Sequence, residues 1–253
     1  MFQVERQEKI VRILEEKPRV TVEELAKLLN VTAMTIRRDL KYLESVQVIS
    51  RTFGGAVLKS KLTLELPRQE KAMHNQQEKE RIALAAAALV REGQTVLLDA
   101  GTTTMEIAKQ LTRLKNLTVI TNDVLIAAHL VVSSNFEIYC TGDRVQNRTG
   151  SCMGSRAIQF LKQIYADIAF IGASSIDAAL GVSGPTFEKA ELKKEMILSA
   201  EQVILVADNS KFNRRSINKI CSLKDISLII CDKGLDAQVA DSLRETDVKL
   251  QLV

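Results

Sequence analysis

The chain has 253 residues, which is enough for one small domain and one of ordinary size. Its 46% hydrophobic and 26% charged residues are typical of a soluble globular protein. The formal net charge of +4 excludes a polybasic tail. Most of the excess lies at the N-terminus, where residues 1–60 hold 11 Lys and Arg against 8 Asp and Glu. An excess of this size is by itself weak evidence for nucleic-acid binding.

No secretory leader is expected, because residues 1–17 contain many charged side chains. The longest apolar run, at 82–90, is far shorter than the ~20 residues that span a bilayer. The cysteines form no C-x-x-C pair, so we expect reduced, buried thiols in a cytoplasmic protein. Because His74 and His129 are the only histidines, a structural zinc site is not expected. No metal site and no cofactor are predicted. The cysteines are Cys140, Cys152, Cys221 and Cys231.

Two amphipathic helices are predicted at the start of the chain. The first runs from about Val4 to Glu16, carries an apolar stripe at helical spacing and ends at Pro18. The second begins after Thr21, which can form a capping box with Glu24. We expect three leucines of this second helix to face the core. They are Leu25, Leu28 and Leu29.

A third helix follows the turn at residues 30–31 and is capped by Thr32. Its residues Ile36, Leu40 and Leu43 repeat at helical spacing and define the buried face. The opposite face is basic and carries short side chains, which suits a helix that lies in the major groove of DNA. The residues predicted to contact DNA from this helix are Thr32, Met34, Thr35, Arg37, Arg38 and Lys41.

Residues 48–57 predict a β-hairpin with Gly54 and Gly55 at or near its bend. Appended to three helices, such a hairpin indicates a winged helix-turn-helix in which Arg51 contacts the DNA backbone. A small helical dimerisation domain with exposed arginines is the alternative. Capping, spacing, basic face and wing agree with one another, and together they favour DNA binding.

The rest of the chain predicts an α/β domain. Residues 58–75 are polar and lack clear periodicity, so we interpret them as a linker between domains at 1–57 and 76–253. An Ala-rich helix is expected from Gln76 to Arg91, after which strands and helices alternate. That alternation indicates a mainly parallel, Rossmann-like sheet with helices on both faces. The predicted strands are 95–99, 117–121, 136–141, 168–172, 202–207, 226–231 and 248–253.

In sheets of this kind, ligands bind at the carboxyl ends of strands, near a switch in strand order. The first strand ends in Asp99, followed by Gly101 and three threonines that open a helix. Hydroxyls and N–H groups beside the positive end of a helix predict a phosphate cradle, unless Thr102 is an ordinary N-cap. The residues of this predicted cradle are Asp99, Gly101, Thr102, Thr103 and Thr104.

Other strand ends carry further candidate ligand residues. Thr121 and Asn122 end the second strand, although this stretch is equally compatible with a helix cap. Gly142 and Gly172 end the third and fourth strands. Lys211, just beyond the fifth strand, is a natural phosphate partner, although a lone surface lysine is usually solvated.

The head, with its double arginine at 37–38 and the Arg-Thr-Phe-Gly-Gly-Ala wing from Arg51, resembles the N-terminal signature of DeoR-family transcriptional regulators. From about Gln77 onward the chain is similar to that family's sensor domain, which has a ribose-5-phosphate-isomerase-like fold. The family's D-x-G-T-T, T-N and D-x-S-K-F elements and its central glycine-rich stretch are all matched. The matching residues are Asp99, Gly101, Thr102, Thr103, Thr121, Asn122, Gly172, Ile176, Asp177, Gly181, Asp208, Ser210, Lys211 and Phe212.

The resemblance implies a repressor of a carbohydrate-utilisation operon that binds double-stranded operator DNA as a homodimer or homotetramer. Operator binding would change with a phosphorylated sugar or polyol as effector. The chain departs from the family at Thr141-Gly142-Asp143, where many members carry paired glycines. This departure concerns the local ligand contacts rather than the fold.

A sugar-phosphate isomerase-like enzyme with a DNA-binding head is the alternative. Asp99, Asp123, Glu188 and Lys211 supply acids, bases and a cation for such chemistry. However, no carboxylate pair has a spacing that demands acid–base catalysis, and neither histidine lies in a motif. We therefore predict that the chain is not an enzyme. A purely structural nucleoid protein is disfavoured because it has no use for a ligand-ready sheet.

Overall fold

The computed structural model divides the chain into two compact units, Met1–Pro67 and Arg68–Val253. Pro18, Phe53 and five residues of the predicted linker lie outside the described residues. Within the part of the chain that is described, no helix is both long and apolar enough to cross a membrane. The structure describes residues 2–17, 19–45, 48–52, 54–58, 62 and 65–253.

The first unit packs three helices against a small antiparallel sheet with strand order β1-β3-β2. Strand β1 was not predicted, since three residues are too few to show a periodic pattern. A Cβ on Gly55 would lie 2.3 Å from the carbonyl oxygen of Val20, so glycine is required where β1 meets the wing. The elements are α1 (Gln3–Glu16), β1 (Arg19–Thr21), α2 (Val22–Leu29), α3 (Ala33–Ser45), β2 (Ile49–Thr52) and β3 (Gly55–Leu58).

Both predicted helix caps are present. The hydroxyl of Thr21 accepts from the N–H of Glu24 at 3.2 Å, and the Glu24 carboxylate accepts from the N–H of Thr21 at 2.8 Å. The hydroxyl of Thr32 accepts from the N–H of Thr35 at 3.2 Å. These bonds satisfy N–H groups that have no partner inside their helices, so α2 and α3 begin where the sequence places them.

The prediction that Leu28 faces the core is wrong, because 65% of its surface is exposed. Val22 and Leu25 are buried instead, and Leu29 is half-buried. At 100° per residue, Leu28 lies roughly 90° from the centre of the face that these three residues form. The buried stripe of α2 therefore begins at its first residue and excludes Leu28.

A buried carboxylate joins α1 to α3. Asp39 is 1% exposed and accepts from Arg6 Nε at 2.6 Å, Arg6 Nη2 at 3.3 Å and Gln7 Nε2 at 3.2 Å. The hydrogen bond to Asp39 raises the pKa of Arg6, so the guanidinium stays charged. Asp39 directly follows Arg37 and Arg38, so this contact fixes the rotation of the helix that carries both arginines.

The second unit contains nineteen α-helices and β-strands among its described residues. They are α4 (Arg68–Met73), α5 (Gln76–Ala87), β4 (Thr95–Leu98), α6 (Thr102–Leu111), β5 (Thr118–Thr121), α7 (Val124–Ser133), β6 (Glu137–Cys140), β7 (Arg144–Gln146), β8 (Ser151–Met153), α8 (Ser155–Leu161), β9 (Ala166–Gly172), β10 (Ser175–Asp177), β11 (Gly181–Gly184), α9 (Phe187–Leu198), β12 (Ala200–Val206), β13 (Asn218–Cys221), β14 (Leu228–Cys231), α10 (Ala237–Arg244) and β15 (Lys249–Leu252).

Seven of these strands form one parallel sheet in the order β15-β14-β12-β9-β4-β5-β6. All seven predicted strands belong to it, and the predicted α/β fold class is confirmed. From β4 the chain proceeds through β5 to β6 on one side, whereas β9 and the later strands lie on the other. The switch in strand order is therefore between β4 and β9, where a ligand crevice is expected.

Apolar side chains fill both faces of the sheet. Leu97, Ala169 and Leu205 point to the face covered by α8, α9 and α10, whereas Val96 and Phe170 point to the face covered by α5, α6 and α7. Neighbouring residues of one strand thus enter different cores, which explains why the strands read as continuous apolar runs. Helices cover both faces, as predicted.

The predicted linker at 58–75 is wrong for its C-terminal part. Residues 68–73 form α4, and the structure assigns them to the second unit. This short helix has no buried residue, so it leaves no apolar pattern in the sequence. Two small antiparallel sheets, β10-β11-β13 and β7-β8, were also not predicted.

The expectation of four buried cysteines holds only in part. Cys152 and Cys231 are buried, Cys221 is half-buried, and Cys140 is exposed because it lies on β6 at the edge of the sheet. All four are free thiols. The sulfur atoms of Cys140 and Cys152 lie 3.8 Å apart.

We predict that Asp39→Ala destabilises the first unit by about 3 kcal/mol, because Arg6 then remains largely buried without its counter-ion. Urea unfolding of the full-length chain, monitored by circular dichroism, measures the change in the free energy of unfolding. Glu23→Ala is the matched control, since that carboxylate is exposed and lies 4.0 Å from Arg37. The control should shift the free energy of unfolding by less than ~0.5 kcal/mol. Equal shifts for both variants would contradict the structural role of Asp39.

Candidate functional site

The predicted DNA-contacting residues lie on the surface of the first unit. Met34 is 79% exposed, and Arg38 and Lys41 are also exposed. Arg37 and Arg51 line one groove between α2, α3 and the wing, so cations of the helix and of the hairpin face the same space. The hydroxyls of Thr32 and Thr35 lie 3.0 Å apart at the start of α3.

The predicted ligand residues follow five consecutive strands of the large sheet. Because all strands are parallel, their carboxyl ends share one edge, which we call the carboxyl edge. The residues are Asp99 to Thr104 after β4, Thr121 and Asn122 at the end of β5, Gly142 after β6, Gly172 at the end of β9 and Lys211 after β12.

The N-terminus of α6 opens at the switch in strand order. Its N-cap is Gly101, which makes no side-chain capping bond, so Thr102 is the first helical residue rather than the cap. The N–H groups at this end have no partner inside the helix and lie at its positive pole. The hydroxyl of Thr104 is also buried and has no hydrogen-bond partner among the described residues. This arrangement can accept an anion.

Asp99 is held by contacts from two other elements. Its carboxylate forms an ion pair with Lys193 and accepts from the N–H of Gly172 at 3.0 Å. Lys193 Nζ also donates to the carbonyl of Gly172 at 2.6 Å. Asp99 is 1% exposed and the Lys193 side chain 12%, so the pair is almost removed from water. It ties the end of β4 to the end of β9 and to α9.

The sequence analysis missed Lys193, although a signal was present. In α9, Ala190, Met196 and Ile197 are buried, and Lys193 lies on the same side at helical spacing. A charged residue on the apolar side of a helix needs a buried partner of opposite charge. Asp99 after β4 was the carboxylate that could have been matched to it.

Three consecutive polar residues at the end of β5, Thr121, Asn122 and Asp123, make different hydrogen bonds and have different roles. The hydroxyl of Thr121 donates to the carbonyl of Leu98 at 2.8 Å and accepts from the N–H of Asp123 at 3.1 Å, so it joins β5 to β4. Asp123 caps α7 by accepting from the N–H of Leu125 at 2.9 Å. Asn122 donates to a serine hydroxyl, but its Oδ1 is buried and without a hydrogen-bond partner among the described residues. Asn122 is therefore available as an acceptor for a ligand.

The end of β12 carries another buried carboxylate. Asp208 accepts from Asn75 Nδ2 at 2.7 Å and from the N–H and hydroxyl of Ser210. Burial alone would raise the pKa of Asp208, but Lys211, Ser210 and Asn75 together lower it. Lys211 Nζ lies 3.7 Å from Asp208, so this lysine is associated with a carboxylate.

The departure at Thr141-Gly142-Asp143 has a structural consequence. Gly142 has a φ of +73°, a conformation that side chains rarely adopt. The Asp143 carboxylate accepts from the N–H of Arg144 at 2.8 Å and from the N–H of Arg156 at 2.9 Å, and these bonds lower the pKa of Asp143. The first turn of α8 is thus capped by a side chain, unlike the start of α6.

Among the described residues, no group of three or more His, Cys, Asp and Glu side chains is placed to hold a metal ion. The carboxyl edge presents N–H groups, hydroxyls, the amide of Asn122 and paired charges.

Two family models match the chain. A model described as a DeoR-like helix-turn-helix domain matches residues 6–61, and one described as the DeoR C-terminal sensor domain matches residues 74–233. The second match alone covers more than half of the chain.

Curated relatives match over nearly the whole length. The chain is 35% identical over 251 residues to a putative aga operon transcriptional repressor of Escherichia coli O157:H7, covering 98% of this chain and 93% of that protein. It is 30% identical over 252 residues to the glycerol-3-phosphate regulon repressor of Escherichia coli K12, covering all of both chains. A D-ribose-5-phosphate isomerase solved with phospho-erythronic acid aligns with 54% of each chain, at 16% identity and a TM-score of 0.41.

We predict that Lys193→Met destabilises the second unit by about 3 kcal/mol, because Asp99 would remain buried without a cation. Urea unfolding of the full-length chain measures the change. Lys194→Met is the matched control, since Lys194 is the exposed neighbour on the same helix and pairs with Glu191. Adding Asp99→Asn to Lys193→Met should recover part of the loss. If the single change left the unfolding midpoint unaltered, the pair would have no structural role.

Proposed function

Because the chain belongs to the DeoR family of transcriptional regulators, we propose that it represses a carbohydrate-utilisation operon under the control of a phosphorylated sugar or polyol. The chain is a DNA-binding regulator and not an enzyme, in agreement with the regulator and repressor names of its relatives. The observation that carries the effector proposal is the uncapped N-terminus of α6 at the switch between β4 and β9.

A phosphate group fits this position for two reasons. The free N–H groups of a helix N-terminus are directed donors, and the helix dipole favours negative charge there. The buried hydroxyl of Thr104 and the buried Oδ1 of Asn122 lack partners among the described residues. A polyhydroxylated ligand carries both acceptors and donors for such groups, and unsatisfied buried polar atoms are costly.

The paired charges of the same edge favour binding over turnover. Asp99 is committed to Lys193 and to the N–H of Gly172, so its carboxylate is poorly placed to accept a proton from a substrate. Lys211 is likewise associated with Asp208. A site whose acids and cations neutralise one another supports recognition without acid–base catalysis.

For an effector to control repression, it need only bind one arrangement of the protein more tightly than another. We propose a homodimer or homotetramer whose DNA-binding units contact operator half-sites about one helical turn, ~10 base pairs, or a multiple apart. A tenfold change in operator affinity needs only ~1.4 kcal/mol of coupling. In each unit, α3 would enter the major groove and Arg51 of the wing would contact a phosphate.

We expect a phosphorylated sugar or polyol to raise the melting temperature of the full-length chain, whereas its unphosphorylated parent does not. The panel includes glycerol 3-phosphate, ribose 5-phosphate and inorganic phosphate. A ligand at 100 times its Kd stabilises the native state by ~2.7 kcal/mol, which a thermal-shift assay resolves.

Thr103→Val should diminish that shift, because the substitution removes a hydroxyl from the first turn of α6. Thr112→Val is the matched control at the other end of the helix, where the hydroxyl donates to the carbonyl of Lys109 at 2.7 Å. A panel without any shift would overturn the proposed effector class.

We expect Arg38→Ala to abolish specific operator binding and to leave the effector-induced thermal shift unchanged. The test is fluorescence anisotropy with a duplex that the wild-type chain selects from a random pool, compared with a scrambled duplex. Arg12→Ala removes the same charge from an exposed position of α1 and serves as the matched control. Lys211→Ala should have the opposite profile, with operator binding retained and the thermal shift reduced. Loss of the same function in both variants would contradict this division of roles.

A further inference from the structure

Arg68 attaches the start of the second unit to the end of β5. It directly follows Pro67, the last residue of the first unit. Its N–H donates to the carbonyl of Arg148 at 3.0 Å, and its Nη1 donates to the carbonyl of Thr149 at 3.2 Å. The same Nη1 forms an ion pair with Asp123. The polypeptide that comes from the DNA-binding unit is therefore fixed at the first residue of the sensor.

The ion pair is largely shielded from water, and both partners make further hydrogen bonds. The Arg68 side chain is 14% exposed and that of Asp123 is fully buried. Burial raises the pKa of Asp123, and Arg68 opposes that effect. While Oδ2 of Asp123 contacts Arg68, its Oδ1 accepts from the N–H groups of Leu125 and Ile126 at the start of α7. Arg68 cannot leave without uncovering a buried charge.

Two polar atoms at this place lack hydrogen-bond partners within the described part of the chain. They are Nη2 of Arg68 and Oδ1 of Asn122, the residue that precedes Asp123. Both atoms are buried, and a buried donor or acceptor is costly until something satisfies it. A hydroxyl group can satisfy the acceptor and the donor alike, and phosphate oxygens can satisfy the donor.

The segment that begins at Arg68 is also held at its other end. We call residues 68–75 the strap. Asn75 Nδ2 donates to Asp208 after β12 at 2.7 Å, and Lys79 Nζ bonds the carbonyls of Lys71 and His74. In the sheet, β4 and β9 lie between β5 and β12. The attachments of the strap therefore lie on either side of the switch in strand order and of the candidate effector site.

We propose that Arg68 couples the effector site to the DNA-binding unit. An effector at the switch between β4 and β9 accepts a hydrogen bond from Arg68 Nη2 and thereby restrains the strap, which directly follows the last residue of the DNA-binding unit. The ligand is of the class already proposed, a phosphorylated sugar or polyol, and the inference rests on that proposed function. Arg68 acts here as a positioning residue, since it transmits occupancy through the strap.

The test is hydrogen–deuterium exchange of the full-length chain with and without glycerol 3-phosphate or ribose 5-phosphate. Peptides that cover 99–108 report on the site at α6, and peptides that cover 65–75 report on the strap. In the wild type we expect severalfold slower exchange in both regions when either compound binds. In Arg68→Met we expect the protection at 99–108 to persist and the added protection of the strap to disappear.

Arg91→Met is the matched control, because Arg91 is an exposed arginine beyond α5. It should behave like the wild type in both regions. Strap protection that survives in Arg68→Met would overturn the inference and leave the proposed function intact. Protection of 99–108 without protection of 65–75 in the wild type would also overturn the inference and leave the proposed function intact. Absence of protection at 99–108 with both compounds would overturn the proposed effector site, and the inference with it.

Two further variants keep the test decisive if Arg68→Met does not fold. Arg68→Met combined with Asp123→Asn removes both charges together, so no buried carboxylate is left without its cation, and an amide can still cap α7. Arg68→Lys keeps the charge but loses the planar group that offers a second nitrogen. Each should retain protection at 99–108 and lose the ligand-dependent protection of the strap. A purely structural ion pair would leave that ligand dependence unchanged in Arg68→Lys.

Discussion

Buried carboxylates impose the main constraint on the carboxyl edge of the sheet. Asp99, Asp123 and Asp208 are each 1% exposed or less, and a charge so far from water needs compensation. Each one is met by a cation from another part of the chain or from the next turn. Because these cations belong to α9, to the strap and to the loop after β12, neutralising the charges also fixes the elements that surround the site. The carboxyl edge is thus held together by ion pairs as well as by the apolar cores on either face of the sheet.

The same pairing bears on the proposed effector site. Lys193 and Arg68 are engaged by carboxylates, so an anionic ligand in that site would meet mainly N–H groups and hydroxyls at the start of α6. Neutral, directed donors bind phosphate without supplying a proton or a base. The proposed site would therefore recognise its ligand without acid–base catalysis, as a regulator requires. The cap that Asp143 places on α8 leaves α6 as the more open of these two helix starts.

The DNA-binding unit also contains a buried carboxylate that is paired with a cation from another helix. Asp39 lies within the otherwise basic stretch of α3, yet it turns inward to Arg6 and Gln7. That contact removes the carboxylate next to Arg38 in the sequence from the outer surface, whereas both arginines stay exposed. Helical spacing alone placed Ile36 and its apolar neighbours correctly. It did not reveal that a charged residue shares their face.

The sequence by itself determined the strands of the large sheet and the residues that follow them. Apolar runs, glycine turns and capping residues such as Thr21 are local signals, so they predicted all seven strands of the sheet and the start of α2. Since parallel strands end at one edge, they also predicted that the residues after them would gather there. Only the tertiary structure decided which charges meet. Lys193 is 94 residues from Asp99 and Arg68 is 55 from Asp123, and no local pattern records a pairing across such distances. The helix α4 within the strap has no buried residue, so the strap is placed by polar contacts such as those of Arg68 and Asn75.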